Sequence, residues 1–281
     1  MAERRAMTSR LPIFTFHTLD DVDRSAIAYP PAGFTRAVET LHQLGSQTLE
    51  MDEVAARLRS GASFPPRGMG LTFDDGYRSV YEVAFPLLQR YGLKATVFLA
   101  VGRGRSGPND SLPSMNGRPM LRWGEIRAMH RAGITLGAHT LTHPDLTRLP
   151  LHRVQEEIWE SKARIEDVLG APVTCFAYPY GAADRPIRQV VAERFGCACS
   201  DRLGLVSSRS DPHALERVDA YYLRAVPLFG MIFTEMFSWY LRARSLPRLI
   251  RRRLGGAADR RIPPSLPDGG RRSREEVLHE R

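Results

Sequence analysis

Residues 70–101 read GLTFDDGYRSVYEVAFPLLQRYGLKATVFLAV, and the fold class turns on how this stretch divides. Gly70-Leu-Thr-Phe73 has the length and composition of a buried strand, and Ala95 to Val101 is again rich in strand formers. Between them Val80 to Tyr91 carries helical spacing and is closed by Gly92. Strand, helix and strand within about 30 residues make a βαβ unit, whose two strands run parallel.

The same alternation continues outward. Downstream, the pattern predicts a loop over 102–120, then helix Trp123–Arg131 and strand Ile134–Ala138. A helix over 150–169 leads to strand Val173–Tyr178, and helix Pro186–Phe195 leads to a short strand at Cys197–Ser200. A last strand is predicted near Val218–Leu223. Upstream, Ile13-Phe-Thr-Phe16 is a strand, followed by helices at Phe34–Leu44 and Asp52–Ser60. Repeated units of this kind predict an α/β fold with a parallel sheet, open or closed into a (β/α) barrel.

Length and composition agree. The chain has 281 residues, with 43% hydrophobic and 25% charged. A barrel of about 200–250 residues plus tails fits, and disordered, collagenous and multi-spanning membrane classes are excluded. The net charge of +9 is localised: residues 241–281 hold twelve Arg and five Asp/Glu, net +7, leaving +2 for the first 240. Three cysteines make no disulfide framework and are expected as buried free thiols. Thr15, His17 and Asp20 interrupt the apolar N-terminal stretch, so neither a secretory signal nor a spanning helix is expected and the chain reads as cytoplasmic.

Barrel chemistry collects where strands end and βα loops begin. Asp74-Asp75-Gly76 follows the strand at 70–73; Asp-Gly is ordinary turn chemistry, but two adjacent acids there also call for a cation. His139 and His143 follow the strand at 134–138, four apart. As a pair they read equally as surface residues, yet with one aspartate they give three ligands and an open position, the layout of a catalytic metal site. Phe176-Ala-Tyr-Pro-Tyr-Gly181 ends the next strand, either as a plain turn or as a shaped pocket wall with Tyr178 and Pro179 on the substrate side.

Thr72-Phe-Asp-Asp-Gly76, His139-Thr-Leu-Thr-His143 and Pro179-Tyr-Gly181, in this order, resemble the polysaccharide deacetylase family, the NodB-homology domain of carbohydrate esterase family 4. The resemblance covers residues 11–223 and implies a distorted (β/α) barrel of seven strands. It implies that Asp75, His139 and His143 bind a divalent metal, commonly zinc, with cobalt or nickel also accepted. Asp74 is then the general base toward water, and the backbone N–H of Tyr180 holds the oxyanion. The implied reaction removes N-acetyl groups from a GlcNAc-containing poly- or oligosaccharide. Alternatives are another amide or ester substrate, or a catalytically impaired carbohydrate-binding relative.

Two departures stand out. The family's late L-x-H motif is absent after residue 181. His17, ending the first strand, resembles the N-terminal "YH" of a subgroup with permuted motif order and is the candidate general acid; a histidine bonded to its own loop is the other reading. The arginine many members carry in the third motif is also absent. The form FAYPYG resembles the subgroup used on exopolysaccharides and lipid-linked saccharides. Arg217 is the candidate to supply that charge or to meet substrate, and a surface salt bridge fits it equally.

The organisation expected is a deacetylase-type domain over 11–223, a basic amphipathic helix over 224–254 and a disordered tail over 255–281. Phe229, Ile232, Phe233, Met236, Phe237, Tyr240 and Leu241 step by three and four, followed by Arg242, Arg244, Arg248 and Arg251–Arg253. This helix either packs on the barrel or makes peripheral contact with anionic membrane. No nucleic-acid partner is expected, since a basic tail lacks a recognition module.

Overall fold

The computed structural model describes residues 10–21, 25–224 and 226–254; the tail expected to be disordered lies outside them. Seven parallel strands close into a barrel: β1 (Ile13–Phe16), β2 (Gly68–Phe73), β3 (Thr96–Leu99), β4 (Thr135–Ala138), β5 (Cys175–Ala177), β6 (Cys197–Leu203) and β7 (Leu215–Asp219). Each pairs with the next in the chain, and β7 closes the ring on β1 with Val218 opposite Phe14. The seven-stranded α/β barrel expected from the sequence is the observed fold.

Helices surround it: α1 (Pro31–Gln43), α2 (Met51–Ser60), α3 (Phe85–Tyr91), α4 (Trp123–Arg131), α5 (Leu151–Leu169), α6 (Arg185–Ala192) and α7 (Glu235–Leu254). The helix predicted at Val80–Tyr91 is divided, with a π turn over Val80–Ala84 leading into α3. Pro86 offers no N–H to the carbonyl four residues back, and the chain widens there. Among the described residues no helix is long and apolar enough to cross a membrane.

Strand periodicity sorts the core. Phe14, Phe16, Val97, Leu99 and Phe176 face the helices in the main cluster. Their neighbours Ile13, Phe98, Cys175, Ala177, Cys197, Cys199 and Leu215 form a second cluster that fills the barrel. The ring is narrow: a Cβ at Gly137 would lie 2.4 Å from the Phe98 ring, so β4 has no room for a side chain there. The three cysteines are free and buried.

The last strand differs from its prediction. It runs over Leu215–Asp219, and Ala220–Leu223 is a 3-10 turn. The apolar run Val218–Leu223 misplaces it because Glu216 and Arg217, both buried, occupy the strand's centre. Beside Arg217 the β6–β7 register slips from Cys199 opposite Leu215 to Leu203 opposite Arg217, a bulge. One compact unit extends to Arg242, and Phe229, Ile232, Phe237 and Leu241 belong to its core. A second unit begins at Ala243, described as helix to Leu254.

Candidate metal centre and active site

Asp74 and Asp75 leave the end of β2 in different directions. The Asp74 N–H is fixed by the Phe16 carbonyl at 2.9 Å, and Asp75 turns with φ 74° into the left-handed region, followed by Gly76 at 90°. A Cβ on Gly76 would sit 2.6 Å from Leu112, so this turn needs glycine for both torsion and space. The result is two adjacent carboxylates with separate partners.

Asp75 Oδ1 lies 3.4 Å from His139 Nε2 and 3.2 Å from His143 Nε2, and the two Nε2 atoms are 3.1 Å apart. His139 follows β4 directly, its N–H bonded to the Leu99 carbonyl at 2.9 Å. Its Nδ1 is 2.7 Å from the Ala177 carbonyl, an acceptor only, so Nδ1 carries a hydrogen and Nε2 presents a lone pair in the neutral ring. His143 is brought back by Thr140 (φ 70°) and its own φ of 58°, with the Thr140 hydroxyl accepting its N–H at 3.0 Å. A β-branched residue in that region is strained, and the strain is held at the ligand loop.

These three residues fit a divalent cation. Two imidazole nitrogens and a carboxylate oxygen lie within 4.8 Å of one another, largely buried, and together offer converging lone pairs with nothing positive among them when the imidazoles are neutral. Fixing a histidine through its far nitrogen to a carbonyl is the usual orientation device of metal ligands. In the absence of a cation, burial opposes the charge of Asp75, but the adjacent imidazoles of His139 and His143 hold its carboxyl far below the usual range.

Asp74 faces Arg217 instead. The guanidinium donates from Nη1 to Oδ1 at 2.8 Å and from Nη2 to Oδ2 at 2.7 Å, with Asp74 3% and Arg217 5% exposed. Arg217 also donates to the Ser200 carbonyl at 2.9 Å and the Thr72 hydroxyl at 3.3 Å. Burial pushes Asp74 up, but the Arg217 charge, aided by His139 and His17, brings its pKa below the ordinary value. Asp74 thus has a guanidinium beside it, and that guanidinium comes from β7.

The remaining candidates divide. His17, half-buried at the end of β1, lowers the pKa of both aspartates and stands by the same cluster. Tyr180, with φ 57°, is exposed, and its ring meets that of His143 edge-on at 4.8 Å. Tyr178 and Pro179, expected on the substrate side, are buried; the Tyr178 hydroxyl is bound to the His213 carbonyl at 3.0 Å and its ring packs on Phe176. Arg217, as a substrate contact, is likewise corrected: its donors are committed within the barrel. Strand alternation sends Arg217, like Leu215, into the barrel, whereas Tyr178 follows Phe176 to the helical side and Pro179 opens a 3-10 turn.

Glu157 was not read from the sequence. It is 3% exposed on α5, and its two carboxylate oxygens accept the Thr142 N–H and hydroxyl, each at 2.8 Å. Its backbone carbonyl takes the Leu141 N–H at 3.1 Å. The available signal was an acid inside the apolar stripe Val154, Ile158, Ile165.

Comparison with known proteins agrees with this geometry. The sequence model described as polysaccharide deacetylase matches residues 61–196, which include all three motifs. YxkH of Bacillus subtilis, a polysaccharide deacetylase homologue, is 27% identical over 212 residues, 75% of this chain and 71% of that one. The poly-beta-1,6-N-acetyl-D-glucosamine N-deacetylase of Escherichia coli (strain K12) is 26% identical over 134 residues, 45% of this chain and 20% of its own length. Among solved structures, the Streptococcus pyogenes deacetylase PplD in complex with acetate superposes with a TM-score of 0.66 at 23% identity, over 75% of this chain and 92% of that one, a likeness of fold. The polysaccharide deacetylase model thus matches the part of this chain that carries all three motifs, and those motifs converge at one end of the barrel.

Proposed function

We propose that this chain is a metal-dependent hydrolase that removes the N-acetyl group from N-acetylglucosamine units of a poly- or oligosaccharide, an exopolysaccharide or a lipid-linked glycan. The observation that carries the reading is the Asp75–His139–His143 cluster beside a second carboxylate, Asp74, gripped by a buried guanidinium. The E. coli relative named for N-deacetylation of a GlcNAc polymer supports the substrate class.

Asp75, His139 and His143 would hold the ion, zinc in this reading, with cobalt or nickel as substitutes. When bound, a divalent cation supplies Lewis acidity toward water and an acyl oxygen. Asp74 takes the proton from the attacking water. Arg217 keeps it ionised near neutrality and fixes the plane of its carboxylate, so orientation is set before substrate arrives. The Tyr180 backbone N–H donates to the acyl oxygen as charge develops there. Breaking the C–N bond leaves a poor leaving group unless nitrogen is protonated, and His17 gives that proton. Acetate takes the water oxygen, and the free amine stays on the sugar.

The test is acetate release from N-acetylated β-1,6 and β-1,4 glucosamine oligomers by the zinc-loaded protein. Asp74→Asn is expected to lower turnover by at least about 10³-fold with the ion still bound. His139→Ala is expected to lose the ion. Retained turnover in Asp74→Asn removes the assigned base, and glycan binding without acetate release under any metal leaves the impaired-relative reading. Saccharide is the partner this site serves; contact with anionic membrane is a separate proposal, carried by other residues.

A further inference from the structure

We propose that the outward face of α7 docks on an anionic lipid bilayer. The inner face of this helix is fixed by packing: Phe237 and Leu241 are buried, the Phe237 ring lies 6.4 Å from that of Phe14 on β1, and the Tyr240 hydroxyl donates to the Tyr222 carbonyl at 2.6 Å. Away from that face, Met236 is 66% and Trp239 67% exposed, three residues apart and therefore on one side of the helix. Arg242, another three residues on, sets its guanidinium over the Trp239 ring at 5.6 Å. Single exposed apolar residues are unremarkable, but a large sulfur side chain, an indole and an arginine in one line form an ordered surface.

The chemistry of that line selects the occupant. An indole settles at the boundary between acyl chains and headgroups, and a guanidinium reaches outward to phosphate. Charge is complementary and local: Glu235–Leu254 holds six Arg and one Glu, whereas the first 240 residues together carry only +2. Each basic residue near an anionic surface adds to the attraction. The contact is peripheral, since among the described residues no helix is apolar enough to span. The Tyr240–Tyr222 bond also sets this part of α7 beside the turn following β7, at the barrel end that carries Asp74, Asp75 and His139. Docking there brings the catalytic mouth toward saccharide attached to lipid, a consequence that rests on the deacetylase reading while the docking itself does not.

The full chain is sedimented with vesicles of phosphatidylcholine alone and of phosphatidylcholine with phosphatidylglycerol, while tryptophan emission is followed; the Trp239 signal is the part of the change that Trp239→Ser removes, since Trp123 is buried and Trp159 half-buried. The expected result is pelleting with the anionic vesicles only, a blue-shifted emission, and release as salt rises from about 0.1 to 0.5 M. The double variant Met236→Ser/Trp239→Ser is expected to lose at least about tenfold in partitioning, with an unchanged melting temperature and unchanged acetate release from a soluble oligomer. Equal pelleting of wild type and double variant, absence of pelleting with anionic vesicles, or a dimer in light scattering that the double variant abolishes would each overturn the proposal, the last by making a second copy the occupant. Failure of the deacetylase reading would appear only in the acetate assay.

Discussion

Arg217 is a charge that the barrel accepts only because Asp74 is there. Both groups are enclosed, and their two short hydrogen bonds replace the water each has lost. Removing one member of such a pair leaves the other buried and unmatched, which costs about 3–5 kcal/mol. Arg217→Met is therefore expected to destabilise the fold on that scale, measured by urea unfolding, and to depress turnover further in the surviving protein. Arg217→Lys separates the two effects: it keeps the charge but not the two-pronged grip, so stability should recover in part while kcat stays low. Equal recovery of both would mean that Arg217 supplies charge alone and does not orient Asp74. The two residues are 143 positions apart. Their partnership was legible in sequence only as one of two readings, since Arg217 reads equally as a surface ion; the carboxylate and imidazole motifs were legible because each sits within one loop.

Helix α5 acts as a splint for the loop carrying His143. Glu157 ties Thr142 through both carboxylate oxygens, and this holds a segment whose Thr140 and His143 torsions are unfavourable by themselves. Glu157→Gln keeps the size but loses one acceptor, so the loop should relax and hold metal less well. Loss of an orienting partner of this kind costs about 10–100-fold in metal affinity. Competition titration of the metal-free protein with a zinc chelator measures it, and an affinity within about twofold of wild type would show that Glu157 serves stability only. The same element marks where sequence reading stops. Strands β2 to β5 were legible because glycines and apolar runs bound them. The position of β7 was not, because Glu216 and Arg217 interrupt its apolar pattern and are paired with groups from elsewhere in the ring, Glu216 through one oxygen with Arg202 and Arg217 with Asp74. Periodicity registers burial of apolar groups and is blind to charges buried in pairs.

At the scale of the whole molecule, the filled barrel and the packed helical layer make ionisation report on integrity. Cys175, Cys197 and Cys199 lie inside the ring, where burial pushes all three thiols up. A thiol-disulfide reagent should find none of them in the folded protein and all three after denaturation; fast reaction of the native state would mean the ring opens. Tyrosines extend the argument to alkaline pH. Tyr29, packed edge-on against Phe16, is pushed by burial from its ordinary 10.0 to about 12, and Tyr178 is pushed up further still. The unfolded chain ionises these phenols first, so it binds fewer protons than the folded one above pH 10. Stability is thus unaffected below about pH 10 and falls as the pH climbs toward 12. Phenolate absorbance should accordingly show a late stage from the buried rings, arriving together with loss of the circular dichroism of the fold. A single stage near pH 10 with the dichroism intact would show that water reaches Tyr29 and Tyr178, and that the layer between helices and barrel is looser than its packing indicates.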